Sequence, residues 1–199
     1  MNKKIFNLVL SGVLAAMYVI LTLPFAQIAF GMVQFRLAEI LTTLPILTSA
    51  AIPGVFIGCL LANFLNPQNL GLIDILGGSL TTLLAAFLTW KIGRPYRNFV
   101  LEQKKSLAIK GLEDNRPEKQ KLPKKLKINL ILALLPPILL NGFIIGSYLP
   151  FLLTDNPDMW IVLSTILSVS LSQAIVILGL GLPFLNLFSK NKSMQDMLS

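Results

Sequence analysis

Three charged side chains, Arg36, Glu39 and Asp74, stand apart in apolar surroundings. Charge inside a membrane is costly, so such groups are usually paired or line a polar cavity. Two carboxylates and a guanidinium there can bind a small polar molecule with several hydrogen-bond donors. The structural alternative is an ion pair between Arg36 and Glu39, three residues apart on one helix, with Asp74 as an N-terminal helix cap.

Amide side chains extend this pattern. Asn141 and Gln173 lie mid-way along apolar stretches, whereas Asn63, Asn66, Gln68 and Asn69 cluster shortly before Asp74. An amide within a membrane either joins two helices or contacts a ligand. The predicted substrate-binding residues are Arg36, Glu39, Asn63, Asp74, Asn141 and Gln173.

The composition indicates that membrane-spanning helices hold these residues. Of 199 residues, 54% are hydrophobic and 13% are charged, whereas soluble domains carry about 25% charged residues. Charge-free stretches cover 5–35, 40–73, 75–90, 128–154 and 159–189. Most of them exceed the roughly 20 residues that cross a bilayer.

The basic residues predict the topology. Every lysine and arginine except Arg36 falls near the N-terminus, between Lys91 and Lys127, or near the C-terminus. The positive-inside rule then places both termini and the basic loop 94–126 in the cytoplasm. An even number of spans must precede that loop, so 38–65 has to supply two, broken at Pro53 and Gly54. We therefore predict an all-α membrane protein, a bundle of six transmembrane helices at about 5–24, 38–51, 53–65, 71–93, 128–149 and 160–187.

Several kinds of chemistry are excluded. The chain has no histidine and one cysteine, Cys59, so histidine-based metal sites, Ser-His and Cys-His nucleophile pairs and internal disulfides are ruled out. Cys59 is expected to pack as a small apolar residue.

The loop 94–126 is interpreted as a solvated linker, with a short helix around 98–112, or as a segment that touches anionic lipid headgroups. Few aromatic residues interleave with its lysines, which argues against nucleic acid.

Small residues in the first span predict a contact with another helix. Ser11 and Ala15, and likewise Gly12 and Ala16, are four residues apart, which lets a second helix approach closely. The chain has no GxxxxGK[ST] motif to cradle phosphates. If ATP drives transport, other subunits must hydrolyse it.

Four runs of sequence resemble the QueT family, the substrate-binding S components of energy-coupling factor (ECF) transporters. They are FRLAEILTTLPIL (35–47), NFLNPQNLGLIDILGGSLTTLLAAFLTW (63–90), PPILLNGFIIGSYL (136–149) and SQAIVILGLGLPFL (172–185). The resemblance implies a six-helix S component in the cell membrane. It would capture a queuosine precursor, a 7-deazaguanine, and work with a transmembrane coupling subunit and two ATPase subunits. No cofactor is implied.

The resemblance also implies roles for particular residues. The acidic pattern of the family carries over to Glu39 and Asp74, and its Asn-Gly pair carries over to Asn141. Ser11, Gly12, Ala15 and Ala16 would form the surface that docks on the coupling subunit. Where the family pattern predicts Gly-Glu in the sixth span, this chain has Ser172 and Gln173.

Other functions stay open at this stage. The chain could be an S component for another vitamin or nucleobase-like solute. It could also be a membrane-embedded enzyme that uses Glu39 and Asp74 as an acid pair, or a small channel or structural subunit. A channel would need a continuous polar path, whereas the polar residues here gather at the predicted outer ends of the helices.

Overall fold

The computed structural model describes residues 2–67, 70–110 and 122–190, and the regular elements of that part of the chain are all helical. Helix α1 (Lys3–Thr22) starts at Asn2, whose side chain accepts the backbone N–H of Lys4 at 3.1 Å. A 3₁₀ turn (Leu23–Phe25) and the short helix α2 (Ala26–Ala29) extend it.

Four helical segments are long and apolar enough to cross a membrane: Lys3–Ala29, Leu72–Ile92, Lys124–Leu153 and Met159–Ser189. The second is helix α4 (Leu72–Ile92). Each of the last two contains a π-helical stretch. The third segment consists of α6 (Lys124–Leu140), the π-helical stretch Asn141–Ile145 and α7 (Gly146–Leu153). The fourth consists of α8 (Met159–Ala174), the π-helical stretch Ile175–Gly181 and α9 (Leu182–Lys190).

Two shorter apolar helices lie between α2 and α4, a 3₁₀ helix (Leu37–Ile46) and α3 (Ala51–Leu65). The chain breaks between Ile46 and Ala51, several residues before the break that we predicted at Pro53. Proline is tolerated at Pro53 because the N–H groups in the first turn of a helix have no partner within that helix. The Thr48 hydroxyl accepts the N–H of Ala50 at 3.3 Å in the actual turn.

The basic segment contains helix α5 (Arg94–Lys110), which starts directly after α4 and lies further toward the N-terminus than the short helix predicted at 98–112. Residues 111–121, the rest of the predicted loop up to Lys121, lie outside the described residues. We call the end of the bundle that holds Lys91 and Arg94 the basic end. Here Asn129 on α6 donates to the carbonyl of Ile92 at 3.0 Å.

Two apolar clusters fill the bundle between the basic end and the polar residues described below. The first joins α1, the 3₁₀ helix, α3 and α4, and includes Leu14, Leu41, Leu44, Val55 and Ala86. The second joins the 3₁₀ helix to α5, α6, α9 and the π-helical stretch before α9, and includes Ile46, Tyr96, Leu134, Ile177 and Leu185. Close packing of these side chains stabilises the bundle, because helices that cross a bilayer associate through van der Waals contacts rather than through the removal of apolar surface from water.

Helices α1 and α3 pack closely because α3 presents glycines to α1. A Cβ added at Gly58 would lie 2.5 Å from the Cβ of Tyr18 and 3.0 Å from the carbonyl oxygen of Ala15. The Ser11 hydroxyl donates to the carbonyl of Ala50 at 2.7 Å. Ser11 and Ala15 therefore lie inside this protein, whereas we expected them on a surface that docks a partner.

Gly12 and Ala16 lie on an adjacent, exposed face of α1, and no atom of another element would lie within 4 Å of a Cβ added at Gly12. Adjacent residues point in different directions around a helix, whereas residues four apart share a face. The Ser11/Ala15 pair and the Gly12/Ala16 pair therefore lie on two different faces.

Candidate binding site

Glu39 is 1% exposed and lies in the first turn of the 3₁₀ helix. The Tyr18 hydroxyl on α1 donates to its Oε1 at 2.7 Å. The Nδ2 of Asn141, at the start of a π-helical stretch, donates to its Oε2 at 3.5 Å. One carboxylate therefore connects three elements that are distant in sequence.

Arg36 precedes the 3₁₀ helix in an extended conformation and is 2% exposed. Its Nε donates to the carbonyl of Ala29 at 2.9 Å, and its guanidinium lies over the ring of Phe30, with 4.5 Å between Cζ and the centroid. The chain is not helical at Arg36, so the three-residue spacing from Glu39 does not produce the direct ion pair considered above. Arg36 nevertheless interacts electrostatically with both Glu39 and Asp74.

Asp74 lies in the first turn of α4 and is 2% exposed. The Tyr148 hydroxyl on α7 donates to its Oδ1 at 3.0 Å. The N-cap of α4 is Gly71, at φ +89°, so Asp74 is not the cap residue considered above. Its backbone carbonyl accepts the Nδ2 of Asn63 on α3 at 3.1 Å.

We call Arg36, Glu39, Asp74 and the two amides that contact the acidic residues, Asn63 and Asn141, the polar cluster. Cys59 links its Arg36 side to its Asp74 side. Its Sγ is a weak acceptor for Nη1 of Arg36 and Nδ2 of Asn63, each at 3.8 Å, and for the hydroxyl of Thr82 at 3.4 Å. Cys59 packs in the first apolar cluster, as we expected, and its sulfur also contacts these polar groups.

Gln173 is buried on α8, two residues before the second π-helical stretch. Ser170, one turn earlier, packs against Gly142, the neighbour of Asn141. Gln173 thus lies near the Asn141 end of the cluster. Asn66 is buried as well, and Gln68 and Asn69 fall outside the described residues.

Several buried polar atoms of the cluster have no hydrogen-bond partner. They are Nη2 of Arg36, Oδ1 of Asn63 and Oδ1 of Asn141. Oε1 of Gln173 and both amide atoms of Gln34, two residues before Arg36, are buried and unpaired as well. Buried polar groups in folded proteins are nearly always paired, because an unpaired one costs about 1–3 kcal/mol. Their concentration around two buried carboxylates indicates a place where a polar ligand supplies the missing partners.

The sequence did not point to Tyr18, Gln34 or Tyr148. Tyr18 falls on the face of α1 that also carries Ser11, Ala15 and Thr22, and this periodicity was the signal available for it. Tyr148 and Gln34 have no comparable pattern, since their importance rests on contacts, or missing contacts, that exist only in the fold.

Comparisons with known proteins identify the family of this chain. The chain matches the model of a family described as QueT transporter over residues 8–190. The queuosine precursor transporter QueT of Lactococcus lactis subsp. cremoris (strain MG1363) is 35% identical over 85 residues, which cover 42% of this chain and 48% of that protein. The matched region thus spans about half the length of this curated relative. No solved structure matches the chain. Because the family model covers most of the sequence, this chain is a membrane protein that belongs to the QueT transporter family.

Proposed function

We propose that this protein is the substrate-capture subunit of an ECF-type importer and that it binds a queuosine precursor, a 7-deazaguanine. It would be a six-span S component that takes the molecule from outside the cell. The L. lactis relative is described as a transporter of such a precursor, and the family match extends over most of this chain. The exact precursor and the partners are part of the proposal.

The observation that carries this proposal is the cluster of buried polar groups without partners. A guanine-like edge presents a ring N–H and an exocyclic NH₂, and one carboxylate, of Glu39 or Asp74, can accept both. The second carboxylate would suit an aminomethyl group, which is cationic at neutral pH. The free Nη2 of Arg36 can donate to the ring carbonyl. The amide oxygens of Asn63, Asn141 and Gln173 offer further acceptors.

The path of the chain supports six spans. The 3₁₀ helix runs from Glu39 in the polar cluster to Ile46 beside Gly93 at the basic end. Helix α3 returns, because it begins near Ser11 and reaches Asn63 in the cluster. At 1.5 Å per residue α3 is about 22 Å long, and the 3₁₀ helix is about 20 Å long at 2.0 Å per residue. Both are short for a bilayer, so neighbouring helices would have to enclose their ends.

A channel is the less suitable alternative. The apolar clusters around Leu44 and Leu134 fill the space between the polar cluster and the basic end. A solute that enters at the polar cluster therefore meets closed packing. Capture followed by delivery through a coupling subunit and two ATPase subunits fits this arrangement better than free passage.

Mass spectrometry of the small molecule retained on the purified chain tests the proposal. We expect a 7-deazaguanine to be released on denaturation. Cellular uptake of that compound should require the ATPase subunits, whereas binding to the purified chain should not require ATP. Retention of an unrelated solute, or ATP hydrolysis by the isolated chain, would contradict the proposal.

A matched pair of variants tests which face of α1 docks on the coupling subunit. We propose that Gly12 and Ala16, on the exposed side of α1, form the contact. Ala16→Leu should reduce co-purification with the coupling subunit and leave ligand binding intact. Ala15→Leu should instead destabilise the fold, since Ala15 packs against Gly58. Unchanged co-purification of Ala16→Leu would reject this surface.

A further inference from the structure

Gln34 is a buried side chain whose hydrogen bonds are missing. It is 1% exposed and lies between α2 and the 3₁₀ helix. Neither its Oε1 nor its Nε2 has a partner. Leaving both halves of an amide unpaired costs about 1–3 kcal/mol for each group. An apolar side chain of similar size would avoid this cost, so the fold does not explain the glutamine.

The backbone at Gln34 is also unfavourable. Its φ is +45°, and it is the one non-glycine residue with positive φ in the described part of the chain. Side chains other than those of glycine, asparagine and aspartate rarely adopt this conformation. The adjacent N–H of Phe35 donates to the carbonyl of Ile28 at 2.8 Å and anchors the turn. Strained, over-determined positions of this kind concentrate at binding sites.

Gln34 lies two residues before Arg36, and both side chains are buried. Half-buried Phe35 lies between them. Arg36 also has an unpaired atom, Nη2. Two buried side chains, close in sequence, thus offer an unpaired amide and an unpaired guanidinium N–H.

Once a carboxylate and Arg36 have bound two parts of the proposed ligand, one edge of it remains for the Gln34 amide. In purine numbering, a carboxylate that accepts N1–H and the exocyclic NH₂ occupies one edge of 7-deazaguanine. The six-membered ring carbonyl suits Arg36, and position 7 is a carbon and cannot accept. The remaining edge has an acceptor, N3, beside a donor, N9–H. A primary amide matches it with two hydrogen bonds, Nε2 to N3 and N9–H to Oε1.

We propose that Gln34 reads the N3 and N9–H edge of the ligand and thereby selects the free base over its nucleoside, in which the sugar replaces the N9 hydrogen. This inference rests on the proposed function. Methylation at N9 removes the donor in the same way as the sugar does, with a smaller added group. The methylated base is therefore the sharper probe.

The test compares 7-deazaguanine with its 9-methyl derivative by titration calorimetry on the purified chain. The parent should bind the methylated base roughly tenfold or more weakly. Gln34→Leu should bind 7-deazaguanine roughly tenfold more weakly than the parent, and methylation should then have little further effect. Gln34→Met is a second variant of similar volume in case Gln34→Leu folds poorly. Gln27→Leu is the control, because Gln27 is an exposed glutamine nearby.

Thermal unfolding without ligand supplies a second readout. Gln34→Leu should unfold at the same temperature as the parent or higher, because it removes unpaired buried groups. A lower temperature for both the Leu and Met variants would make Gln34 a structural residue and overturn the inference. An equal loss of affinity on methylation in the parent and in the variants would also overturn the inference, provided that the parent binds 7-deazaguanine. A parent that does not bind 7-deazaguanine would overturn the proposed function itself.

Discussion

Two arginines at opposite ends of the bundle show how differently the protein treats buried charge. Arg97, at the basic end, donates through Nη1 to the carbonyls of Ile46 and Trp90, both at 3.0 Å, and lies over the Trp90 ring at 5.1 Å. It remains half-buried. Arg36 also bonds a carbonyl and lies over an aromatic ring, but it is buried and its Nη2 has no partner.

The surroundings of the two arginines differ in the same way. The basic end has unpaired buried atoms of its own, on Thr89, Gln103 and Asn129, but none of these side chains is charged. The polar cluster combines an unpaired guanidinium nitrogen with two buried carboxylates. Polar contacts connect helices at both ends, but among the described residues the unpaired charged nitrogen and the two buried carboxylates lie in the cluster. The difference indicates that the cluster is kept for a ligand at some cost in stability.

The largest effect should follow neutralisation of the carboxylates. Glu39→Gln and Asp74→Asn retain the shape of each side chain and remove its charge. A hydrogen bond to a charged group contributes about 1.5–3 kcal/mol, so each variant should bind a 7-deazaguanine that carries an aminomethyl group roughly ten- to a hundredfold more weakly. Calorimetry measures the affinity and thermal unfolding measures the stability. Parent-like affinity in both variants would show that the cluster is structural.

Replacement of Arg97 should affect stability rather than binding. Arg97→Gln removes two hydrogen bonds and the stacking on Trp90, and should lower the free energy of unfolding by about 1–3 kcal/mol. Arg94→Gln is the control, because Arg94 is an exposed arginine on the same helix. Chemical denaturation in detergent would compare the variants. A tenfold loss of ligand affinity in Arg97→Gln would remove the distinction between the two ends.

A pair of single-hydroxyl deletions should give the smallest effects. Tyr148→Phe removes the hydrogen bond to Asp74 and should weaken ligand binding by roughly two- to tenfold, because the carboxylate is then less well positioned. Tyr96→Phe removes a 3.3 Å contact with Ser189 at the basic end. It should change stability by about 1 kcal/mol or less and leave affinity unchanged. The reverse pattern would contradict the comparison.

Charge was the property that sequence revealed best. Arg36, Glu39 and Asp74 could be identified because charged residues are rare and costly in apolar helices, and the structure places all three in one buried cluster. The mid-span amides Asn63 and Asn141 could be identified for a similar reason. Both make side-chain contacts with the acidic residues or their backbone.

The local backbone was harder to predict. A 3₁₀ helix at Leu37–Ile46 and π-helical stretches at Asn141–Ile145 and Ile175–Gly181 have the same apolar composition as an α-helix. The ion pair expected between Arg36 and Glu39 depended on α-helical spacing that the chain does not adopt. Gln34 could not have been found, since its significance lies in partners that the fold fails to provide.

The central claim is that the isolated chain binds its ligand in this polar cluster without nucleotide. Titration of 7-deazaguanine into the purified parent and into the double variant Glu39→Gln/Asp74→Asn, both without ATP, tests it most directly. We expect one molecule bound per parent chain and no measurable binding to a double variant that still folds. Equal affinity of the two proteins, or no binding to either, would contradict the account.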